Sequence, residues 1–130
     1  MRTGSSTKYA LLAVGYVAQH KGKNLILSQD VAKAYDIPLE YLLKIMNQLT
    51  KAQILRSKRG PGGGFRLARP LLKITMLDVI EAIEGPMNVS VALKENAPKD
   101  KFAANAERAY DKVIAGTRAA FKKVRLSDLV

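Results

Sequence analysis

The sequence contains no cysteine. A chain without thiols cannot form a disulfide, bind zinc through thiolates or hold a cysteine-ligated iron-sulfur cluster. It has one histidine, His20, and a lone histidine near the end of a predicted helix is more often solvated or capping than bound to a metal. We therefore expect no metal site and no cofactor, while a small effector of unknown chemistry stays compatible with the composition.

A secretory leader and a long apolar run are also missing. Residues 1–6 lack the apolar core of a signal peptide, and no window approaches the roughly 18 apolar residues of a membrane span. The 130 residues are enough for one domain with an ordinary core. We expect a soluble cytoplasmic protein that does not enter a membrane.

Acidic side chains are absent from the middle of the chain. The 22 Lys and Arg outnumber the 11 Asp and Glu, for a formal net charge of +11. No acid lies between Glu40 and Asp78, whereas eight Lys or Arg lie within residues 41–77. This field predicts attraction to a polyanion, either a nucleic acid or an acidic membrane surface.

A basic, glycine-rich stretch, residues 56–67, lies inside the acid-free region. Short alternating segments flank a centre of glycine and proline, a pattern that predicts a β-hairpin with a flexible tip. Arg59 precedes the tip, from which a guanidinium can reach a DNA groove. A surface turn with solvated charges is the plain alternative, which the absence of acids disfavours. A nucleotide-binding loop is disfavoured because no GxxxxGK[ST] pattern opens a helix here.

Apolar periodicity predicts three helices before the hairpin. They cover residues 8–20, with Ser6 or Thr7 as the N-cap, 29–35, capped by Ser28, and about 38–51. Residues 24–27 form an extended link. The third helix turns four apolar side chains inward: Leu42, Ile45, Met46 and Leu49. A short helix, a tight turn and a longer helix outline a helix-turn-helix, whose second helix would enter a major groove.

Two more helices are predicted after the hairpin. Thr75 caps a short helix that Gly85 and Pro86 end, with Leu77, Ile80 and Ile83 as its buried edge. A long helix begins near Asp100, and residues 126–130 form a small turn. The apolar stripe of the long helix is longer than a compact head needs, so we expect this helix to pair with a second subunit. The stripe consists of Ala106, Tyr110, Val113, Ile114, Thr117, Phe121 and Val124.

The predicted fold is mainly α with a small β-hairpin wing. Residues 1–85 form a winged helix-turn-helix DNA-binding domain, 86–99 a loop, and 100–130 a dimerisation helix with a C-terminal tail. The order of the elements makes this prediction specific, since a helix-turn-helix or a hairpin alone would be a weak signal.

The chain resembles the Rrf-two (Rrf2) family of bacterial winged helix-turn-helix transcription regulators. The wing pattern R-G-x-G-G-[GYF] and the later segment T-x-x-[DE]-V-I-x-A-[IV]-E-G are the most specific features. The match covers residues 1–85 well and the C-terminal helix loosely, and it rests on residues 9–12, 38–42, 45–49, 57–65 and 75–85.

The resemblance implies a homodimer that places two heads about 34 Å apart on a palindromic operator. Ser28, Gln29 and Tyr41 would meet phosphates, Lys44 would face base edges beside Glu40 and Leu43, and Arg59 would enter the minor groove. The full set of implied DNA-binding residues is Arg2, Ser28, Gln29, Pro38, Leu39, Glu40, Tyr41, Leu43, Lys44, Arg56, Lys58, Arg59, Gly60, Gly62 and Gly63.

The sequence departs from part of that family. Its cluster-binding members carry three cysteines in the loop that corresponds to about residues 86–105, and this chain has none. Sensing of iron, nitric oxide or redox state through such a cluster is therefore not inferred. An effector or a regulatory protein bound near the loop is left open.

Three classes of function are weighed. A sequence-specific regulator, acting as a repressor on double-stranded DNA, explains the acid-free basic run. An accessory module that docks on a partner protein such as a metabolic enzyme, with weak DNA binding, would not require that run. An enzyme is set aside, because the two helix carboxylates Glu81 and Glu84 show the spacing of a solvated face and no catalytic group accompanies them.

Overall fold

The computed structural model describes residues 5–20, 22, 25–61, 63–87 and 90–130. Its elements are α1 (Ser5–Gln19), α2 (Ser28–Tyr35), α3 (Leu39–Lys51), β1 (Leu55–Lys58), β2 (Gly64–Leu67), α4 (Met76–Glu84) and α5 (Lys101–Lys123). Three short 3-10 turns cover Leu71–Lys73, Leu93–Glu95 and Leu126–Asp128. The predicted fold class, mainly helical with one antiparallel hairpin, is confirmed. Within the described ranges, no helix combines the length and the apolarity needed to cross a membrane.

The core lies where α1, α3 and α4 meet. All four side chains predicted to face inward on α3 are buried, and they pack with Val14 of α1 and other apolar residues. α4 packs against α1 and α3, and also against α5. The long helix therefore joins the head through α4.

The predicted caps of the first two helices are wrong. Ser6 and Thr7 lie inside α1; Ser6 shares a hydrogen bond with Tyr41, and Thr7 is buried. Ser28 is the first residue of α2, and Leu27 takes the N-cap position without a side-chain hydrogen bond. The Ser6 hydroxyl bonds to a residue distant in the sequence and the Ser28 hydroxyl donates to the neighbouring Gln29, so neither caps its helix.

The predicted cap of α4 and the predicted start of α5 near Asp100 are confirmed. Thr75 Oγ1 accepts the Asp78 N–H at 3.1 Å, while Asp78 Oδ2 accepts the Thr75 N–H at 2.9 Å. This reciprocal capping box fixes the start of α4. Asp100 Oδ2 accepts the Ala103 N–H at 3.3 Å and caps α5. Leu77 and Ile80 are buried and Ile83 is half-buried, and the prediction missed Val79, which is also buried.

After α5 the chain returns to the head. The Met76 N–H donates to the Val124 carbonyl at 2.8 Å, and the Leu126 N–H donates to the Ile74 carbonyl at 2.9 Å. These bonds form an isolated antiparallel bridge between Thr75 and Arg125. Leu126, in the predicted C-terminal turn, is 4% exposed and belongs to the core of the head.

Candidate nucleic-acid interface

One face of the wing is covered by cations. Arg56 lies directly opposite Arg66 in the β1–β2 ladder, and Lys58 shares their face because side chains alternate along a strand. All three side chains are exposed. Like charges placed opposite each other destabilise a hairpin. A bound polyanion would relieve that repulsion.

The opposite face attaches the wing to the head. Leu55 is buried, and Phe65 is half-buried against the core. Ile26, in the extended link before α2, exchanges two backbone hydrogen bonds with Phe65, at 2.7 and 2.8 Å. The link therefore adds a one-residue third strand, which fixes the cationic face relative to α2.

The tip of the wing is a hydrogen-bonded turn. The Gly63 N–H donates to the Gly60 carbonyl at 2.9 Å, and Gly60 has φ +88°, a conformation that favours glycine. A Cβ at Gly63 would overlap the carbonyl oxygens of Lys58 and Gly60. Arg59 and Gly60 are exposed at the start of this turn, whereas Gly63 is half-buried.

The outer face of α3 exposes the residues predicted for base recognition. Leu39, Glu40, Leu43 and Lys44 are exposed on it, and so is Pro38 at its N-cap. Tyr41 is exposed as well, but its orientation is fixed. Its hydroxyl lies 2.6 Å from Ser6 Oγ, and its ring meets Tyr9 edge-to-face with centroids 5.5 Å apart.

The start of α2 offers backbone donors. Leu27 provides no side-chain cap, so the N–H groups of Ser28 and Gln29 remain available to an anion, whereas the Asp30 N–H donates to the Leu27 carbonyl at 3.1 Å. Gln29 is exposed there. Ser28 is only 9% exposed, and its hydroxyl donates to Gln29 Oε1 at 3.5 Å. Of the two residues, Gln29 is thus the more accessible to a phosphate.

Most cations of the acid-free region are not neutralised by the protein. Arg69 is the exception: its Nη1 lies 3.5 Å from Asp78 Oδ2, and its Nε donates to the Gln53 carbonyl at 3.1 Å. Arg69 therefore connects the residues around Gln53 to the start of α4 within the head. The other seven are exposed and form no ion pair within the described part of the chain: Lys44, Lys51, Arg56, Lys58, Arg59, Arg66 and Lys73.

Sequence reasoning missed one residue of this surface and named two that cannot be placed. Arg66 was not predicted, although counting the alternation through the hairpin would have put it on the face of Arg56. Arg2 and Gly62 lie outside the described residues. The hairpin, α3 and the start of α2 bring the remaining predicted positions to the surface, except for Ser28 and the half-buried Gly63.

The described residues contain no group of three or more His, Cys, Asp or Glu side chains arranged to hold a metal ion. His20 ends α1, where its ring stacks on Tyr16 at 4.0 Å and its Nδ1 lies 2.8 Å from the Tyr16 carbonyl oxygen. This is the capping environment expected for it. The side chains that the structure describes offer no set of ligands that fits an iron site.

Comparisons with known proteins show similarity to regulators of transcription. Residues 3–130 match the Rrf2 family model, described as "Iron-dependent Transcriptional regulator". A protein of Aquifex aeolicus, provisionally named an HTH-type transcriptional regulator, is 30% identical over 128 residues, covering 96% of this chain and 88% of the relative. The HTH-type transcriptional regulator IscR of Cereibacter sphaeroides is 36% identical over 90 residues, covering 68% of this chain and 58% of its own.

Two solved structures share the fold. CymR, described as the global cysteine regulator of B. subtilis, superposes with a TM-score of 0.83 at 22% identity, over 99% of this chain and 95% of that one. IscR of T. potens gives a TM-score of 0.75 at 22% identity, over 99% and 85% of the two chains. The helix-turn-helix, the basic wing and the full-length family match together show that this chain belongs to the Rrf2 family of DNA-binding transcriptional regulators.

Proposed function

We propose that the chain represses transcription by occupying a palindromic promoter site as a homodimer in the cytoplasm. The observation that carries the proposal is the cationic face of the wing, where Arg56, Lys58 and Arg66 lie together without a described acidic partner. These like charges repel one another, and a bound polyanion reduces that repulsion. Double-stranded DNA is the polyanion that a winged helix-turn-helix fits.

Affinity would come mainly from phosphate contacts. Each neutralised phosphate steepens the fall of log K with log salt by about 0.9. The seven exposed cations are shared between the wing, α3 and the segments that follow them, so one head can grip several phosphates. The wing and α3 thus set the register of the head on the duplex.

Specificity would come from α3 and from the tip of the wing. Lys44 can donate to guanine, Glu40 can accept from the amino group of cytosine, and Leu43 can contact a thymine methyl. Arg59 can sense the width of the minor groove. Tyr41, held by Ser6 and Tyr9, would meet a phosphate in a fixed orientation.

The second subunit would pair along α5. Of the predicted dimerisation residues, Tyr110 and Val113 are 44% and 65% exposed, while Ala106, Ile114, Thr117, Phe121 and Val124 are half-buried within the protomer. The exposed apolar side of the helix continues to Phe102, which is 75% exposed. Small residues flank Val113 at helical spacing and would let two helices approach closely: Ala109, Gly116 and Ala120.

A salt titration tests the proposal. Affinity for a random 30-base-pair duplex and for duplexes selected from genomic fragments should fall steeply with salt, with a slope of log K against log salt steeper than about −4. The selected fragments should contain an inverted repeat and bind at least tenfold more tightly than the random duplex. A slope near zero would instead support an accessory module that docks on a protein.

A further inference from the structure

A carboxylate on α4 holds the start of the segment that leads to α5. Glu81 Oε2 accepts the backbone N–H of Met87 at 2.9 Å and the Nε–H of Arg118 at 3.2 Å. Glu81 Oε1 accepts from Arg118 Nη2 at 3.3 Å. The side chain of Glu81 is only 21% exposed, so water screens these bonds weakly. One residue thereby ties α4, α5 and the segment together.

A second carboxylate, on α5, holds the far part of the same segment. Glu107 Oε1 accepts the backbone N–H of Lys94 at 3.1 Å, and Glu107 Oε2 lies 3.6 Å from Lys94 Nζ. Glu107 is 14% exposed. Both carboxylates therefore combine a side-chain cation with a backbone N–H of the segment, which makes each contact charge-assisted.

The family description names iron, and this chain lacks the means to hold it in this segment. It has no cysteine, and its only histidine lies at the end of α1. The ten positions outside the described ranges carry no His, Cys, Asp or Glu, so they add no ligand of these types. Glu81 and Glu107 are already occupied by cations and by backbone N–H groups, and Glu95 is an exposed acid that joins no group able to hold a metal among the described residues.

We propose that this chain is an iron-independent member of its family, in which Glu81 and Glu107 keep the described parts of residues 85–97 closed on α4 and α5, through Met87 and Lys94. The Glu81–Arg118 pair also sets the angle between the head and the long helix, since α4 packs against α1 and α3. In a homodimer that angle determines the distance between the two heads. The effect on DNA binding thus rests on the proposed function, whereas iron independence and closure do not.

Iron independence is tested on the full chain with ferrous iron and with a chelator. We expect less than 0.1 iron per chain after anaerobic loading and gel filtration, as an order of magnitude for a chain without soft ligands. The affinity for a DNA duplex should change less than about twofold between ferrous iron and EDTA, since neither alters a phosphate contact. Stoichiometric iron, or a tenfold change in affinity, would overturn the proposal.

Closure is tested by amide hydrogen exchange in Glu81→Ala and Glu107→Ala. Loss of a charge-assisted hydrogen bond should accelerate exchange about tenfold or more, at Met87 in the first variant and at Lys94 in the second. The matched control is Glu95→Ala, an exposed acid of the same segment whose backbone N–H bonds to Ala92. Unchanged exchange in both test variants would refute the closure.

Binding to DNA then separates the two proposals. Glu81→Ala should weaken binding to a duplex with two half-sites several-fold, while its salt slope on a short random duplex stays at the wild-type value, because the phosphate contacts of one head are intact. Equal affinity of wild type and variant for the two-site duplex would contradict the role of the Glu81–Arg118 pair in setting the angle between the head and the long helix. A flat salt slope in the wild type would instead sink the proposed function.

Discussion

Among single side chains, Arg59 is the most informative to replace. It is exposed at the start of the tip turn and forms no ion pair within the described residues. In Arg59→Ala we expect DNA affinity to fall by about 1–3 kcal/mol, with the salt slope reduced by about 1, while the unfolding midpoint stays at the wild-type value. Fluorescence anisotropy and urea unfolding measure the two quantities.

The control for Arg59 is Lys123→Ala, an exposed cation in the last turn of α5. Both variants lower the net charge by one, so a general loss of attraction to DNA would affect them equally. A larger effect in Arg59→Ala isolates the position at the wing. Equal affinities of the two folded variants would contradict its role.

Thr75 controls stability rather than binding. It accepts the Asp78 N–H in the capping box of α4 and lies in the bridge to Arg125. Thr75→Ala should lower the free energy of unfolding by about 1 kcal/mol, and Thr75→Ser should restore most of it. Urea unfolding measures both variants. No difference between the alanine and serine variants would show that the hydroxyl does not cap.

Among the secondary-structure elements, the wing depends on one close backbone approach. A Cβ at Gly63 would overlap two carbonyl oxygens, so Gly63→Ala must open the turn that carries Arg59. We expect DNA affinity to fall as far as in Arg59→Ala, by about 1–3 kcal/mol. Because the tip lies outside the core, the unfolding free energy should change by less than about 1 kcal/mol.

Gly22→Ala is the matched control for the wing, since a Cβ there meets no atom within 4 Å. The same substitution is thus made in a turn without a close contact. If Gly63→Ala binds DNA as tightly as Gly22→Ala, the turn is not required to present Arg59.

The sequence determines most elements but not the contacts between them. α3 and α4 carry apolar side chains at helical spacing, and Thr75 and Asp78 form a local cap, so their positions follow from neighbours in the chain. The bridges at Ile26 and at Arg125 involve single residues without any periodicity, and their partners are distant in sequence. For the same reason Ser6 was wrongly predicted as a helix cap, since its hydroxyl instead hydrogen-bonds to Tyr41.

The candidate site follows the same division. The acid-free run and the glycines are visible in the sequence, and they predict a basic hairpin. The pairing of Arg56 with Arg66 needs the register, which the turn at Gly60 and Gly63 decides. Arg69 differs from the other cations because it contacts Gln53 and Asp78, and composition does not reveal these contacts.

For the protein as a whole, Val113 tests the assembly. It is 65% exposed on α5, in the middle of the small residues that would face a second copy. In Val113→Glu we expect a monomer by sedimentation equilibrium, because a homodimer would bury two facing carboxylates without partners. Affinity for a two-site duplex should fall at least tenfold, while binding of a short random duplex persists.

Lys122→Glu is the control for assembly. It is exposed on the same helix, nine residues on, and at about 100° per residue it points to the opposite side of α5. Its change in charge is larger than that of Val113→Glu. A dimeric Val113→Glu, or a monomeric Lys122→Glu, would show that the exposed apolar side is not the contact between subunits.

The return of the chain after α5 has a consequence for biosynthesis. Leu126 fills the core of the head and hydrogen-bonds to Ile74, so the winged domain is sealed by a residue made long after its own helices. On the ribosome, the apolar core of the winged domain stays incompletely covered until Leu126 emerges from the exit tunnel. The core of the head is therefore completed only after α5 and Leu126 have been synthesised.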